Sequence, residues 1–221
     1  MLIDLHNHTL PRSLDSSLRA DDLVRLAKER GLDGVCLTEH DNSWDSREME
    51  GIGKDHGFPV LAGMEVNTDH GHILVFGLTK YTYEMFSAKR LREIVDQEGG
   101  VMILAHPYRR SLYSPGPSLH RFHPNGDRPW AATDQDYSTL IHAVEALNGS
   151  GGSSDNAFSL EVARRLGLPG TGGSDAHVMS EVAKAATDFE RKITSLSDFI
   201  AAVKEGNLCA VDMRVGKASP L

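Results

Sequence analysis

The chain has 221 residues, 40% of them hydrophobic and 24% charged, with a formal net charge of −8. That length supports a full core in one domain, while the acidic balance excludes a protein held chiefly by nucleic-acid phosphates; a small phosphorylated substrate stays open, because bound metal ions reverse the local sign. No apolar run approaches the roughly 20 residues that span a bilayer, and Met1 to His6 lacks the basic and apolar regions of a secretory leader, so a cytoplasmic location with no membrane partner is expected.

Strands and helices alternate along the sequence. Leu2 to His6 predicts a first strand. Asp21 to Arg30 predicts a helix, with Leu23, Leu26 and Ala27 on one face, acids in its first turn and Gly31 as its stop. Gly34 to Thr38 is a second strand, and His56 stands beside Gly57 at a helix end. Val60 to Glu65 and His72 to Gly77 are further strands, followed by a helix from Phe86 to Glu98 and a strand from Val101 to Ala105. Ala143 to Leu147 reads as a sixth strand. Asp155 to Leu166 reads as a helix capped by Ser154 and stopped by Gly167. Ser195-x-x-Asp198 opens a last helix that ends at Gly206, and Leu208 to Val211 closes the series as a strand. This alternation predicts a parallel sheet with covered faces, open or closed into a barrel.

One stretch breaks the rhythm. Residues 108–133 combine prolines, glycines and arginines with Tyr108, Tyr113, Phe122 and Trp130. A long segment without regular structure inside a domain is a functional loop or a disordered one, and its aromatic content predicts an ordered lid. The expected organisation is one domain over 1–221, with that lid and a frayed tail over 216–221.

Histidine is the anomaly of the composition, at 11 residues against 2 cysteines. Cys36 and Cys209 lie in apolar runs and suit buried packing rather than a disulfide or thiolate site. His6-Asn7-His8 ends the first strand, and alternate strand residues point the same way, so both imidazoles can face one ion. A lone H-x-H has little weight, and His70-Gly71-His72 repeats the spacing. The conjunction carries the argument: His40 follows strand two, Glu65 ends strand three, His106 follows strand five, and Asp175 and His177 follow Gly172-Gly173. In parallel α/β folds the carboxyl ends of strands gather on one face, where active sites are built. A nitrogen and carboxylate set without thiolate favours zinc, manganese or iron, and it is too large for one tetrahedral ion, so two or three ions are expected. No G-x-S-x-G elbow and no phosphate-binding G-x-x-x-x-G-K-[ST] loop is present.

Asp4-Leu5-His6-Asn7-His8-Thr9, Thr38-Glu39-His40-Asp41, Gly63-Met64-Glu65, Ala105-His106-Pro107 and Gly173-Ser174-Asp175-Ala176-His177 together resemble the PHP-domain proteins, the polymerase and histidinol phosphatase superfamily. The resemblance spans nearly the whole chain. It implies a distorted (β/α)7 barrel with a metal cluster at the carboxyl-terminal mouth, and hydrolysis of a phosphoester by a metal-activated hydroxide. It assigns His6, His8, His40, Glu65, His106, Asp175 and His177 as metal ligands, and adds Asp15 and His72. Asp175 or His177 is expected to protonate the leaving oxygen, and Arg109 to clamp the phosphate. Two positions depart from the family, and two leave a choice open. Ser16 stands where Gly is usual, and Glu39 where Asp is usual. Glu145 and Asn148 either orient ligands from behind or cap the following turn.

The expected protein is therefore a metal-dependent phosphoesterase, phosphatase or phosphodiesterase, acting on a small organic phosphate or a nucleotide. Two rivals stand beside it. One is an amidohydrolase-like C–N hydrolase, whose barrels also use H-x-H. The other is a non-catalytic metal-binding module that docks on a partner.

Overall fold

A computed structural model describes residues 1–109, 138–215 and 219–220. Most of the expected lid, and residues 216–218 and 221 of the expected frayed tail, lie outside them; Ser219–Pro220 pair with the last long strand. The order is β1 (Leu2–Asp4), α1 (Ala20–Glu29), β2 (Gly34–His40), α2 (Ser46–His56), β3 (Val60–Thr68), β4 (Gly71–Phe76), α3 (Ala88–Gln97), β5 (Val101–Leu104), β6 (Ala143–Asn148), α4 (Ser153–Leu166), β7 (Gly170–Gly173), β8 (Ala185–Phe189), α5 (Leu196–Glu205), β9 (Leu208–Asp212) and β10 (Ser219–Pro220). No helix among the described residues is long and apolar enough to cross a membrane.

The fold is mixed α/β, built on one ten-stranded sheet in the order β10-β9-β8-β1-β2-β3-β4-β5-β6-β7. β1, β2 and β3 are parallel, as are β5, β6 and β7. Past β7 the chain runs beside the extension of β1: Asn7 pairs in parallel with Ala176, and the His8 amide donates to the Ala176 carbonyl at 3.0 Å. The sheet therefore curls into a nearly closed barrel, while β8, β9 and β10 continue outward from β1.

β4 departs from the expected parallel sheet. It pairs antiparallel with β3 and with β5. β3 runs on to Thr68, so only Asp69 and His70 separate it from β4. A parallel return needs a crossover of about a dozen residues or more, and two residues can only make a hairpin.

Local chemistry sets the element ends. Asp45 accepts from the Arg47 amide at 2.8 Å and Glu48 returns to the Asp45 amide, a capping box that starts α2 before its left-handed stop at Gly57. α4 starts two residues before its predicted position, at Ser153, because Asp155 reaches back to the Gly152 amide at 3.0 Å. The predicted helix from Phe86 is interrupted at Ser87, which is extended; Tyr83–Phe86 is a separate 3-10 turn, and Asp69 accepts from the Ala88 amide at 2.9 Å to start α3. α1 buries Leu23, Val24 and Ala27 against the sheet. Each fully buried Leu or Val is worth ~1.5–3 kcal/mol, which fixes the helix that follows the first histidine pair.

Candidate metal centre

The site begins where β1 ends. Asn7 turns away from the barrel axis, donating from Nδ2 to the Cys36 carbonyl at 3.2 Å. The strand alternation then sends His6 and His8 the same way, and their Nε2 atoms stand 3.0 Å apart. His40 is the last residue of β2, Glu65 lies in β3, His72 is the second residue of β4, and His106 and Asp175 follow β5 and β7. His106 and Asp175 hold left-handed backbones, with φ of +24° and +54°. Such conformations are uncommon away from glycine and persist where surrounding structure fixes them, often at functional sites. Gly173 supplies the clearance: a Cβ there would meet His6 Cβ at 2.5 Å.

Glu65 is the hub, and its two oxygens face different partners. Oε1 is 2.8 Å from His72 Nδ1 and 2.8 Å from His106 Nε2. Oε2 is 2.9 Å from His40 Nδ1, 3.3 Å from His8 Nε2 and 3.5 Å from His6 Nε2. Asp175 Oδ1 sits 3.3 Å from His8 Nε2 and 3.5 Å from His6 Nε2, while its Oδ2 faces Arg109 at 2.5 Å. At the outer edge, Asp15 Oδ2 lies 3.0 Å from His40 Nε2 and 3.4 Å from His177 Nε2.

Burial and charge oppose each other here. Burial alone would push the His6 and His8 imidazoles down; the surrounding carboxylates of Glu65 and Asp175, with Glu145 at His6, outweigh it and raise His6 well above its ordinary value and His8 to about 9. Burial alone would likewise raise the Glu65 and Asp175 carboxyls, yet the histidines hold both well below the usual range. Asp4 behaves differently. It accepts from the Ser174 amide at 2.8 Å below the cluster, and burial raises its carboxyl to about 6.

The donor set fits divalent cations. Glu65 Oε2 and Asp175 Oδ1 are buried without a hydrogen-bond partner, and both point at the inward nitrogens of His6 and His8. Unpartnered buried carboxylate oxygens are costly, and a cation between them and the imidazoles would satisfy both. Three overlapping groups have ligand atoms within 4.8 Å of one another: His6, His8 and Asp175; His6, Glu65 and His106; and His8, His40 and His177.

All nine candidate ligands are thus brought together, and Arg109 joins them through Asp175. Both open roles of the sixth strand are filled. Glu145 Oε1 lies 2.9 Å from His6 Nδ1 and Oε2 accepts from the His106 amide at 2.8 Å, while Asn148 donates to Glu145 and accepts from the Ser150 amide in the next turn. Two further histidines have partners of their own: His142 accepts from the Met102 amide and His56 pairs with Asp21. His120 and His123 lie outside the described residues. Sequence reasoning missed Asp4, Asn7 and Ser13. The first had a signal, two residues before His6 on the same strand face; a serine in a loop has none.

The sequence profile of the PHP domain matches residues 4–150, and that of a PHP-associated region matches residues 153–208. An uncharacterized protein of Methanocaldococcus jannaschii is 27% identical over 117 residues, 49% of this chain and 68% of that protein. A two-domain protein of Bacteroides vulgatus, described as containing a predicted PHP-like metal-dependent phosphoesterase, superposes with a TM-score of 0.62 at 20% identity, over 95% of this chain and 64% of that one. An amidohydrolase of Chromobacterium violaceum, solved with bound sulfate and no metal, superposes with a TM-score of 0.63 at 15% identity, over 96% of this chain and 98% of its own.

Proposed function

The chain belongs to the PHP domain family, and from that premise we propose that it hydrolyses the phosphoester of a small organic phosphate or a nucleotide. Family and fold support a metal-dependent hydrolase; the bond and the substrate are our reading. The observation that carries it is the pair of buried oxygens, Glu65 Oε2 and Asp175 Oδ1, which accept no aligned hydrogen bond and face the Nε2 atoms of His6 and His8.

His6, His8, Asp15, His40, Glu65, His72, His106, Asp175 and His177 would hold two or three divalent ions of zinc, manganese or iron. Glu65 would offer both of its oxygens, which face different histidines. When bound, such ions lower the pKa of a water and polarise phosphoryl oxygens. The chain's own residues do the rest. Arg109 stands at the rim, about two-fifths exposed, with donors beyond the one held by Asp175 to orient a phosphate. Of the two candidates for protonating the leaving oxygen, Asp175 is buried and held ionised by His6 and His8. The partly exposed His177, whose Nδ1 faces the Asp175 carbonyl at 3.1 Å, is the better placed.

C–N hydrolysis is the second reading, favoured by the amidohydrolase neighbour. Among the described residues, no lysine side chain hydrogen-bonds into the cluster. The test is elemental analysis of gently purified protein, then turnover of phosphomonoesters, phosphodiesters and amides after loading with each metal. Turnover of a phosphoester class supports the proposal, turnover of amides alone replaces it with the second reading, and failure to retain even one ion sinks both.

A further inference from the structure

Glu39 is a fully buried carboxylate that touches no cation among its hydrogen-bond partners. Oε1 accepts from the Thr9 hydroxyl at 2.5 Å and from the Trp44 indole at 2.8 Å. Oε2 accepts from the Thr9 amide at 2.8 Å and from the Ser13 hydroxyl at 2.5 Å. Both oxygens are occupied, and neither reaches the metal cluster directly.

Ser13 connects them. Its hydroxyl carries one hydrogen, and that hydrogen points to Glu39. Toward its other neighbours Ser13 Oγ must accept. The His40 amide donates to it at 3.3 Å, and His8 Nδ1 lies 3.4 Å away. A nitrogen beside an acceptor with no hydrogen to give must itself carry the proton. The Nδ1–H of His8 thus faces Ser13, which leaves Nε2 as the nitrogen free to give a lone pair to the cluster. His6 is set in the same sense by Glu145 without an intermediary, at 2.9 Å from Nδ1.

We propose that Glu39 is a positioning residue for the metal centre, acting through the Ser13 hydroxyl to fix the His8 imidazole as its Nδ1–H tautomer. The argument needs no particular substrate; it rests only on His8 being a metal ligand, as in the proposed function. Fixing the tautomer of a ligand histidine from behind commonly changes metal affinity by 10–100-fold. The longer Glu side chain suits this route, because its oxygens span from the Thr9 amide to Trp44 as well as to Ser13.

The test uses the full chain, with zinc alone as probe. Chelator competition measures zinc affinity for wild type, Ser13→Ala, Glu39→Gln and the double variant, and 15N spectra of histidine-labelled, zinc-loaded protein read which His8 nitrogen carries the proton. The expected results are a 10–100-fold weaker zinc affinity in each single variant, a double variant no weaker than the worse single one, and a His8 Nδ1–H signal perturbed in both. Trp44→Phe removes a Glu39 contact on the other oxygen and is expected to leave the His8 signal in place. Additive losses in the double variant would overturn the relay. So would unchanged affinity, or a Trp44→Phe effect equal to that of Ser13→Ala. If wild-type protein fails to bind zinc, the metal reading itself fails; if it binds and only these variants behave otherwise, the relay alone is wrong.

Discussion

Stripping the metal should expose a specific pH dependence of stability. In the metal-free cluster His8 is raised from 6.5 to about 9. Protonated His8 therefore stabilises the folded chain fully below pH 6.5, and that contribution is lost as pH rises through about 9. The move from 6.5 to about 9 corresponds to roughly 3 kcal/mol. His6 is raised too and adds in the same direction. Glu65 and Asp175 are lowered, so their contribution is present above their ordinary values of 4.5 and 3.8 and is lost only in acid. His6, His8, Glu65 and Asp175 together thus contribute most from about pH 4.5 to 6.5. Urea denaturation in excess chelator should show a midpoint lower by about 1 M at pH 9.5 than at pH 6.5, taking ~3 kcal/mol per molar for the denaturant dependence. Zinc-loaded protein should not share this fall, because ions replace the protons and bind more tightly as the imidazoles lose them. A chelated midpoint that stays level or rises between pH 6.5 and 9.5 would refute the account of the cluster as histidinium paired with carboxylate.

Three substitutions test other links. Asp175→Asn should lower kcat on the best substrate by orders of magnitude while circular dichroism stays native, since a lost ion removes the activated water; near-wild-type turnover would take Asp175 out of the site. Gly173→Ala places a Cβ 2.5 Å from that of His6, so thermal denaturation should show a loss of about 1–3 kcal/mol, as for other overpacked sites, together with weaker zinc retention. Arg109→Lys keeps the charge and loses the planar fork, so steady-state kinetics should show KM for a phosphomonoester rising about tenfold with little change in kcat, the scale of one charge-assisted hydrogen bond.

The candidate ligands were legible because their signal is chemical and local. Histidines and carboxylates at the ends of apolar runs stay visible whatever the fold does with the runs, and His6, His8, His40, Glu65 and His106 all stand at such positions. The ends of α1 and α5 were legible for a similar reason: Gly31 and Gly206 take left-handed φ, and Ser195 accepts from the Asp198 amide at 3.1 Å. β7 and β8 were not. β7 reads Gly-Thr-Gly-Gly, with no apolar pattern, because its backbone is pressed against neighbours; a Cβ on Gly172 would come within 2.3 Å of the Ala186 carbonyl. β8 begins Ala-Ala, small residues that carry weak strand preference and fit the same tight contact. Local propensity was sacrificed to closing the barrel, and propensity was what the reading relied on. Ser13 was invisible for a different reason: its role comes from two partners, Glu39 and His8, which meet only in the folded chain.

His72 shows how a change of topology decides whether a candidate ligand reaches the cluster. A histidine opening a parallel strand would lie at the amino-terminal end of the barrel, far from ligands gathered at the carboxyl ends. The hairpin reverses β4, so its first residues sit beside the last residues of β3. In that register Glu65 pairs with Leu74, and His72, two residues earlier, is the diagonal neighbour on the same face. Its Nδ1 comes within 2.8 Å of Glu65 Oε1, and Glu65 also raises the His72 imidazole against the opposing effect of burial. The antiparallel strand, which breaks the strand–helix repeat, is therefore what brings His72 to the cluster. A parallel β4 of the same sequence would have left Glu65 Oε1 with His106 alone.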